Sequence, residues 1–451
     1  MKQLFKKKWF RFGVVAIIYT LWFVVWNRNL WFLLGLPIIF DLYITGFLAR
    51  LVGWERHQER KRNNKTYKEI WSWIDAIVFA LVFASLINIY IFQNFVIPTS
   101  SMEKTLLVGD YLCVSKATYG PRVPNTPLSL PLMHHTTPWG TKSYSEAISR
   151  PYKRLAGLRG VERDDIVVFN FPAGDTVILE RQNETYYDIV RQFTSTYGPK
   201  RGRELMEQNY TVVLRPVDKR EHYVKRCVAI AGDSLEVRHG MLYINGEPHK
   251  AANNQQYIYY VETSSPLSRK SIEKLGVSPD DLFYSSTSGL YTMPLAADKV
   301  AMLEQMPNVT SITRHESTEP HLAIFPNSEL FPWTEDNFGP LWVPAKGETV
   351  ALTLNNLPLY ERIIKNYEGH SLEVVGDEIV IDGKPATEYT FEMDYYFMMG
   401  DNRHMSADSR FWGFVPEDHI AGTPSFVWLS LDKHKPFPSN IRWDRMFRTH
   451  K

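Results

Sequence analysis

The chain has 451 residues, enough for a membrane anchor plus one large or two medium soluble domains. Its formal net charge of +2 is too balanced for a nucleic-acid binder. With only two cysteines, Cys113 and Cys227, a disulfide framework is excluded.

Local composition is less even. Lys2, Lys6, Lys7, Lys8 and Arg11 crowd the N-terminus, and an apolar stretch follows over 9–26. A second apolar stretch covers 30–48, with Pro37 and Asp41 inside it. Only Asn27-Arg28-Asn29 separates the two, so they are expected to form a helical hairpin over 1–49. Arg56, Arg60, Lys61, Arg62, Lys65 and Lys68 make a basic loop over 50–69. A third apolar stretch runs over 70–95, with Asp75 near its start. Each approaches the roughly 20 residues that cross a bilayer. The basic flanks put the N-terminus and the 50–69 loop in the cytoplasm, so everything after Val96 lies outside. A cleaved signal peptide is the competing reading of the first stretch, but no small-residue cleavage site follows it. Asp41 and Asp75 are assigned no role.

The third stretch runs almost directly into Ile97-Pro98-Thr99-Ser100-Ser101-Met102. Six extended residues span at most about 20 Å, so Ser101 works close to the membrane.

Beyond Met102 the pattern changes to short alternating runs. Strands are expected at 111–114, 166–169, 223–230, 235–237 and 241–244, with hairpin turns at Asn245-Gly246 and Asp382-Gly383. Helical patterning is scarce; 186–209 is the best candidate, broken near Gly198-Pro199. The expected fold is mainly β: an antiparallel β-sheet catalytic domain over 96–451, outside the membrane, anchored by three N-terminal transmembrane helices. Both cysteines fall in strand-like runs and are expected as buried free thiols, with a bond between them left open. Neither has a neighbouring Cys or His at ligand spacing, so no metal is expected.

The sequence also repeats. Residues 223–237 align without gaps to 360–374, and 244–248 align to 381–385. Upstream, 165–168 resemble 348–351. A second block of strands is therefore expected over about 346–386. It carries Arg362 where the first has Lys225, and arginine cannot become a neutral base.

A serine nucleophile needs a base. Ser101-Met102-Glu103-Lys104 matches Ser-x-x-Lys of penicillin-binding proteins, but no Lys-Thr-Gly element follows. Lys225 is the better partner, since it sits mid-strand among apolar residues, where burial lowers a lysine pKa. Taken alone it also suits a solvated strand position.

Four blocks in order decide the matter: 97–106, 109–116, 223–233 and Gly400-Asp401-Asn402-Arg403-His404-Met405-Ser406-Ala407-Asp408-Ser409-Arg410-Phe411-Trp412-Gly413-Phe414-Val415-Pro416. They resemble the bacterial type I signal peptidases (leader peptidases), over about half the chain. Residues 175–220 and about 250–345 have no counterpart and read as insertions. The resemblance implies a membrane-bound serine endopeptidase that removes signal peptides from exported precursors. Ser101 matches the nucleophile and Lys225 the general base. Ser406 matches a serine that orients the lysine, and Asp408 and Arg410 a structural ion pair. Thr99 stands where the family usually has a serine, whose hydroxyl joins the Ser101 amide in the oxyanion hole. Lys104 replaces a common proline, which loosens the turn, and is expected to be solvated.

Specificity is expected from shallow apolar pockets near Ile97, Pro98, Met102, Leu106, Tyr223 and Val224, with small residues preferred one and three positions before the cut. An extended substrate could add as a strand beside 223–225. The partners implied are signal-peptide-bearing precursors and membrane lipid, with no nucleic acid and no cofactor. The location implied is the bacterial cytoplasmic (inner) membrane, multi-pass, with the catalytic domain extracytoplasmic. Loop 126–139, with Leu128, Leu130, Leu132, Met133 and Trp139, is apolar enough to rest on the bilayer. His134-His135 within it lack further ligands in sequence, and the Asn183, Asn209 and Asn308 sequons carry no role. The alternatives are an inactive precursor-binding homologue, a soluble repressor-autocleavage type of Ser–Lys protease, and a penicillin-binding enzyme.

Overall fold

A computed structural model describes residues 7–181, 184–250 and 254–449. Lys2, Lys6 and Asn183 lie outside them. Two helices are long and apolar enough to cross a membrane, Lys8–Trp26 and Lys65–Tyr90. The expected span over 30–48 is instead the shorter Leu30–Thr45. It is built of a 3-10 turn, one α segment and a π turn. Asp41 gives the reason for its end. Its carboxylate accepts from Phe47 N at 2.7 Å and Leu48 N at 2.9 Å, the orphan donors of the next helix, Phe47–Leu51. Gly46, at φ +60, makes the break.

The hairpin closes as expected. Tyr19 OH donates to Phe32 O at 2.8 Å, and the Trp9 and Phe12 rings meet Phe40. Its turn packs against the β domain: Trp22 and Trp26 meet Tyr90, and Trp26 Nε1 donates to Ala156 O at 3.3 Å. The basic stretch is not an open loop but carries the helix Trp54–Asn63. Lys61 pairs with Asp75 at 2.6 Å.

The long helix starts and ends earlier than the 70–95 expectation. Residues Phe92–Val96 leave it to become an edge strand, paired antiparallel with Asp110–Ser115. That pairing satisfies five backbone units outside the helix, and the strand shows period-2 burial. The long apolar helix is thus one residue away from the main sheet.

That sheet has seven strands in the order Phe92–Val96, Asp110–Ser115, Ile420–Ser430, Ile166–Asn170, His222–Ala229, Tyr395–Met399 and Val415–Pro416. Every neighbour pair is antiparallel. All five strands expected from the sequence are present. Cys113 and Cys227 are buried free thiols within it.

The stretch expected as the first insertion, 175–220, folds as a small unit of its own. Thr176–Ile178 pairs with Val212–Leu214 around the helices Tyr186–Tyr197 and Pro199–Asn209, broken at Gly198 as the sequence indicates. The second holds a four-stranded sheet of Phe283–Ser285, Leu290–Leu295, Tyr257–Thr263 and Val309–Arg314. Helices Arg269–Leu275 and Ala297–Glu304 complete it, around a separate core with Val261, Leu275, Met293 and Leu303. Toward its expected end at about 345, Phe338–Trp342 pairs with Ser234–Arg238, and Phe338, Leu341 and Val343 join the main core.

Half of the repeat persists in space. The hairpins Ser234–Arg238/Met241–Ile244 and Leu372–Val375/Glu378–Ile381 share one register, Leu235 opposite Ile244 and Leu372 opposite Ile381. The turns that follow, into Glu247–Pro248 and Lys384–Pro385, both carry the positive φ pair of a type I′ turn, 54° and 84° at Asn245-Gly246, 50° and 75° at Asp382-Gly383. The upstream half differs. His222–Ala229 is a strand, but the segment aligned to it is helical, Leu357–Arg362 continuing as Ile363–Tyr367. Leu357, Tyr360, Ile363 and Ile364 are its buried face, spaced as a helix requires. Arg362 therefore occupies no position equivalent to Lys225; it pairs with Asp175.

Candidate active site

The edge strand delivers its chain end to the site. Ile97 extends the ladder by one step, donating to Asp110 O and accepting from Gly109 N, both at 2.9 Å. Pro98 then turns the chain out, Thr99 stays extended, and Ser100–Met102 forms a single 3-10 turn. Met102 and Leu106, both fully buried beside Ile97, Leu112 and Val114, pin the turn to the sheet. Burying one such side chain is worth about 1.5–3 kcal/mol.

Lys225 reaches the turn from the middle of His222–Ala229, opposite Val167. Its Nζ lies 2.6 Å from Ser101 Oγ, and both residues are buried. Burial pushes the Lys225 ammonium down to about 8, against the opposing pull of Asp408 and Asp401. At that value roughly one lysine in ten is neutral at pH 7.

Around the pair lies a layer of buried charge. Arg226 donates to Asp401 through Nε at 2.8 Å and Nη2 at 2.7 Å, and Thr105 Oγ1 donates to the same carboxylate at 2.6 Å. Asn402 holds the turn by its main chain and its side chain: its N–H donates to Ser101 O and its Nδ2 to Ser100 O, both at 3.1 Å. Asp408 and Arg410 make a fully buried pair at 2.8 Å. Asp408 also accepts from Gly400 N at 3.1 Å. A Cβ on Gly400 would overlap Ser406 Oγ and Ser101 O, so this glycine lets the two loops touch.

Of the residues singled out from sequence, Ser101, Lys225, Ser406, Asp408 and Arg410 come together here. Ser406 is buried, but its hydroxyl donates to Ala407 O at 3.5 Å and no hydrogen bond joins it to Lys225. Thr99 is exposed and directly precedes the turn. The Ser101 N–H is one of the opening donors of that turn, which have no intrahelical acceptor. Ile97, Met102, Leu106 and Val224 share one cluster. Tyr223 points to the other face of its strand, stacks on Phe171 at 4.4 Å and lies beneath the Lys225 ammonium. Pro98 is exposed beside them.

Lys104 is not solvated. At φ +70 it turns its side chain onto the second insertion, where Nζ donates to Gly276 O and, at 3.5 Å, to Leu275 O. These carbonyls end the helix Arg269–Leu275, where a cation is favoured. Ser100 Oγ donates to Asp281 of the same insertion at 3.1 Å. Sequence reasoning missed this contact, as well as Arg226, Asp401, Asn402 and Thr105. The signal for Arg226 and Asp401 was present: two opposite charges inside the blocks that already carried Lys225 and Ser406.

The 126–139 loop exposes Leu128, Leu130, Leu132 and Trp139. His134 and His135 do gain a third potential ligand in space, Glu221. These groups are already engaged: His134 Nε2 with Arg220 O at 2.9 Å, and His135 Nε2 with Glu221 at 2.8 Å. Glu221 is shared with Arg215 at 3.2 Å.

Comparison with known proteins covers most of the chain. The profile of the family described as signal peptidase, peptidase S26, matches residues 70–288 and 345–429. Signal peptidase I of Buchnera aphidicola subsp. Acyrthosiphon pisum is 23% identical over 402 residues, covering 87% of this chain and 86% of that protein. Signal peptidase I of Haemophilus influenzae is 23% identical over 392 residues, 86% of this chain and 78% of that protein. Signal peptidase I of Helicobacter pylori strain J99 is 24% identical over 389 residues, 84% and 91% of the two chains.

Proposed function

The chain belongs to the signal peptidase family, peptidase S26, and from that premise we propose that Ser101 and Lys225 are the catalytic dyad of a membrane-anchored signal peptidase. It is a serine-type peptidase, and its substrates are precursors bearing signal peptides. The observation that carries the dyad is the buried 2.6 Å contact between Lys225 Nζ and Ser101 Oγ.

In the reaction, Ser101 Oγ attacks the scissile carbonyl carbon while neutral Lys225 takes its proton. The Ser101 N–H and the Thr99 hydroxyl receive the oxyanion; one such donor is typically worth roughly 3–4 kcal/mol. The lysine ammonium then gives its proton to the leaving amine. Once neutral again, it activates the water that releases the signal peptide from Ser101. Asp408, Arg410, Asp401 and Arg226 hold the loops that hold the pair. Ser406 packs against Gly400, which meets the Ser101 carbonyl, and so supports the nucleophile turn. Ile97, Pro98 and Val224 flank the pocket that selects small residues before the cut; Met102 and Leu106 are packed beneath it, and Tyr223 lies on the opposite face of its strand.

The setting follows from the anchor. The helices over 8–26, 30–45 and 65–90 cross the bacterial inner membrane, the basic residues ahead of the last face the cytoplasm, and the β domain stands outside. The packing of Trp22 and Trp26 on Tyr90 favours this, since it puts the hairpin turn and the end of the long helix on the same side. An inactive precursor-binding homologue would give the buried Ser–Lys contact no purpose.

The test is processing of a secreted precursor in vesicles by the wild type, Ser101→Ala and Lys225→Ala. Wild type cuts, and each variant loses at least roughly a thousandfold in rate. Normal processing by Ser101→Ala would remove the dyad.

A further inference from the structure

A cluster of metal-ligand side chains stands apart from the dyad. His134 and His135 come from the 126–139 loop, and Glu221 directly precedes the strand His222–Ala229. One ring nitrogen of each histidine and one oxygen of the carboxylate all lie within 4.8 Å of one another. Zinc bound at its usual distances to nitrogen and oxygen needs such atoms roughly 3.3 Å apart, so at most roughly 1.5 Å remains to be closed. Both segments are pinned by their main chains: Glu221 O accepts from Phe171 N at 2.7 Å, and His135 O from Ser143 N at 3.1 Å. The side chains stay open enough for an ion to enter, His135 at 20% exposure and Glu221 at 53%.

The hydrogen bonds within the cluster set the tautomers. Arg220 O can only accept, so His134 Nε2, 2.9 Å away, carries the proton and the neutral ring keeps its lone pair on Nδ1. A histidine that donates its second nitrogen to a main-chain carbonyl is the usual arrangement behind a metal ligand. His135 Nε2 donates to Glu221 Oε1 at 2.8 Å, and its Nδ1 lies 2.6 Å from Thr136 Oγ1. A threonine hydroxyl donates or accepts, so the His135 proton can move from Nε2 to Nδ1 and keep a partner there. That move turns a lone pair toward Glu221. The carboxylate also accepts from Arg215 Nη1 at 3.2 Å, through the same oxygen that meets His135.

We propose that the nitrogen lone pairs of His134 and His135 and the carboxylate of Glu221 bind a zinc ion, with water in the fourth position, and so tie the 126–139 loop to the head of the strand that carries Lys225. Two imidazoles and one carboxylate are a donor set that suits zinc, whereas calcium and magnesium take oxygen ligands. The ion replaces the His135–Glu221 hydrogen bond and adds the His134 lone pair, which that bond leaves unused. Sequence spacing hid the site because Glu221 follows His135 by 86 positions.

The site lies outside the dyad, and its test needs no cleavage. The full chain, without an affinity tag, is stripped of metal in detergent and titrated with zinc against a chromophoric chelator. One zinc per chain is expected. His134→Ala, His135→Ala and Glu221→Gln each weaken binding at least roughly tenfold, while His239→Ala, an exposed histidine elsewhere, leaves it unchanged. Hydrogen exchange gives the second readout. Zinc slows exchange across 126–139 in the wild type and not in His135→Ala, and a wild-type pattern over 222–229 shows that the variant is folded. Wild type that takes up no zinc overturns the proposal, as does uptake that leaves exchange across 126–139 as it was. These two readouts stand even where a variant misfolds. Affinity that survives in His134→Ala/His135→Ala, or calcium that competes as well as zinc, overturns it too.

Discussion

Burial lowers the Lys225 ammonium, and both nearby carboxylates, Asp408 and Asp401, oppose it. The lysine is therefore held between two demands: dry enough to lose a proton near neutral pH, yet close enough to negative charge to regain one for the leaving amine. Asp408→Asn tests this at a single atom. It removes a charge that favours the ammonium, so the base titrates lower and the rise of kcat/KM with pH moves toward acid. It also leaves Arg410 buried beside a neutral amide, at a cost of about 3–5 kcal/mol in denaturant unfolding. The wild-type pair has the usual carboxylate dependence. Asp408 is depressed by Arg410 despite its burial, so its stabilisation is complete above the unfolded carboxylate pKa and is lost as pH falls through the folded one. Ser101, Lys225, Asp408 and Arg410 were legible in sequence because each lies in a short, dense block. Asp281 was not, since it touches Ser100 from 181 positions away inside a segment with no recognisable pattern.

At the scale of elements, the second insertion grips the nucleophile turn at two points, Lys104 on the helix end at Gly276 and Asp281 on Ser100. Both contacts aim the turn and leave the apolar pocket alone. Lys104→Met and Asp281→Asn should thus each lower kcat about fivefold with KM nearly unchanged, the effect of one lost hydrogen bond. Lys104→Arg should restore most of it. A raised KM at constant kcat would mean that the insertion meets the precursor instead. Strands and turns were readable from sequence because alternation and the Asn-Gly and Asp-Gly turns are local signals. The repeat misled at 360–367 because similarity of letters hid a change of period. The first copy is buried continuously from Lys225 to Ala229, a central strand, whereas the second buries positions three and four apart. The shortened second arm of the hairpin was hidden because Asp41 carried no assigned role, whereas its carboxylate caps the next helix.

Across the whole molecule, the anchor and the catalytic sheet are one continuous object. The long apolar helix ends at Tyr90 and the sheet begins at Phe92, so on the proposed anchoring the site stays close to the bilayer. The exposed leucines of the 126–139 loop lie beside this junction. Replacing Leu128, Leu130 and Leu132 by serine should lower processing in vesicles more than in detergent, and should weaken quenching of Trp139 fluorescence by brominated lipid. Unchanged quenching would place the loop in water. Loss of activity in a variant can always come from a disturbed fold, so the central claim is best tested on the intact protein. That measurement is the pH dependence of kcat/KM for a precursor in vesicles. A neutral lysine base titrating at about 8 predicts a rise of about tenfold per pH unit below that value and a plateau above it. A profile that is already flat from pH 6, or one that rises with a midpoint near 6.5 as a histidine base would give, contradicts the Ser101–Lys225 mechanism.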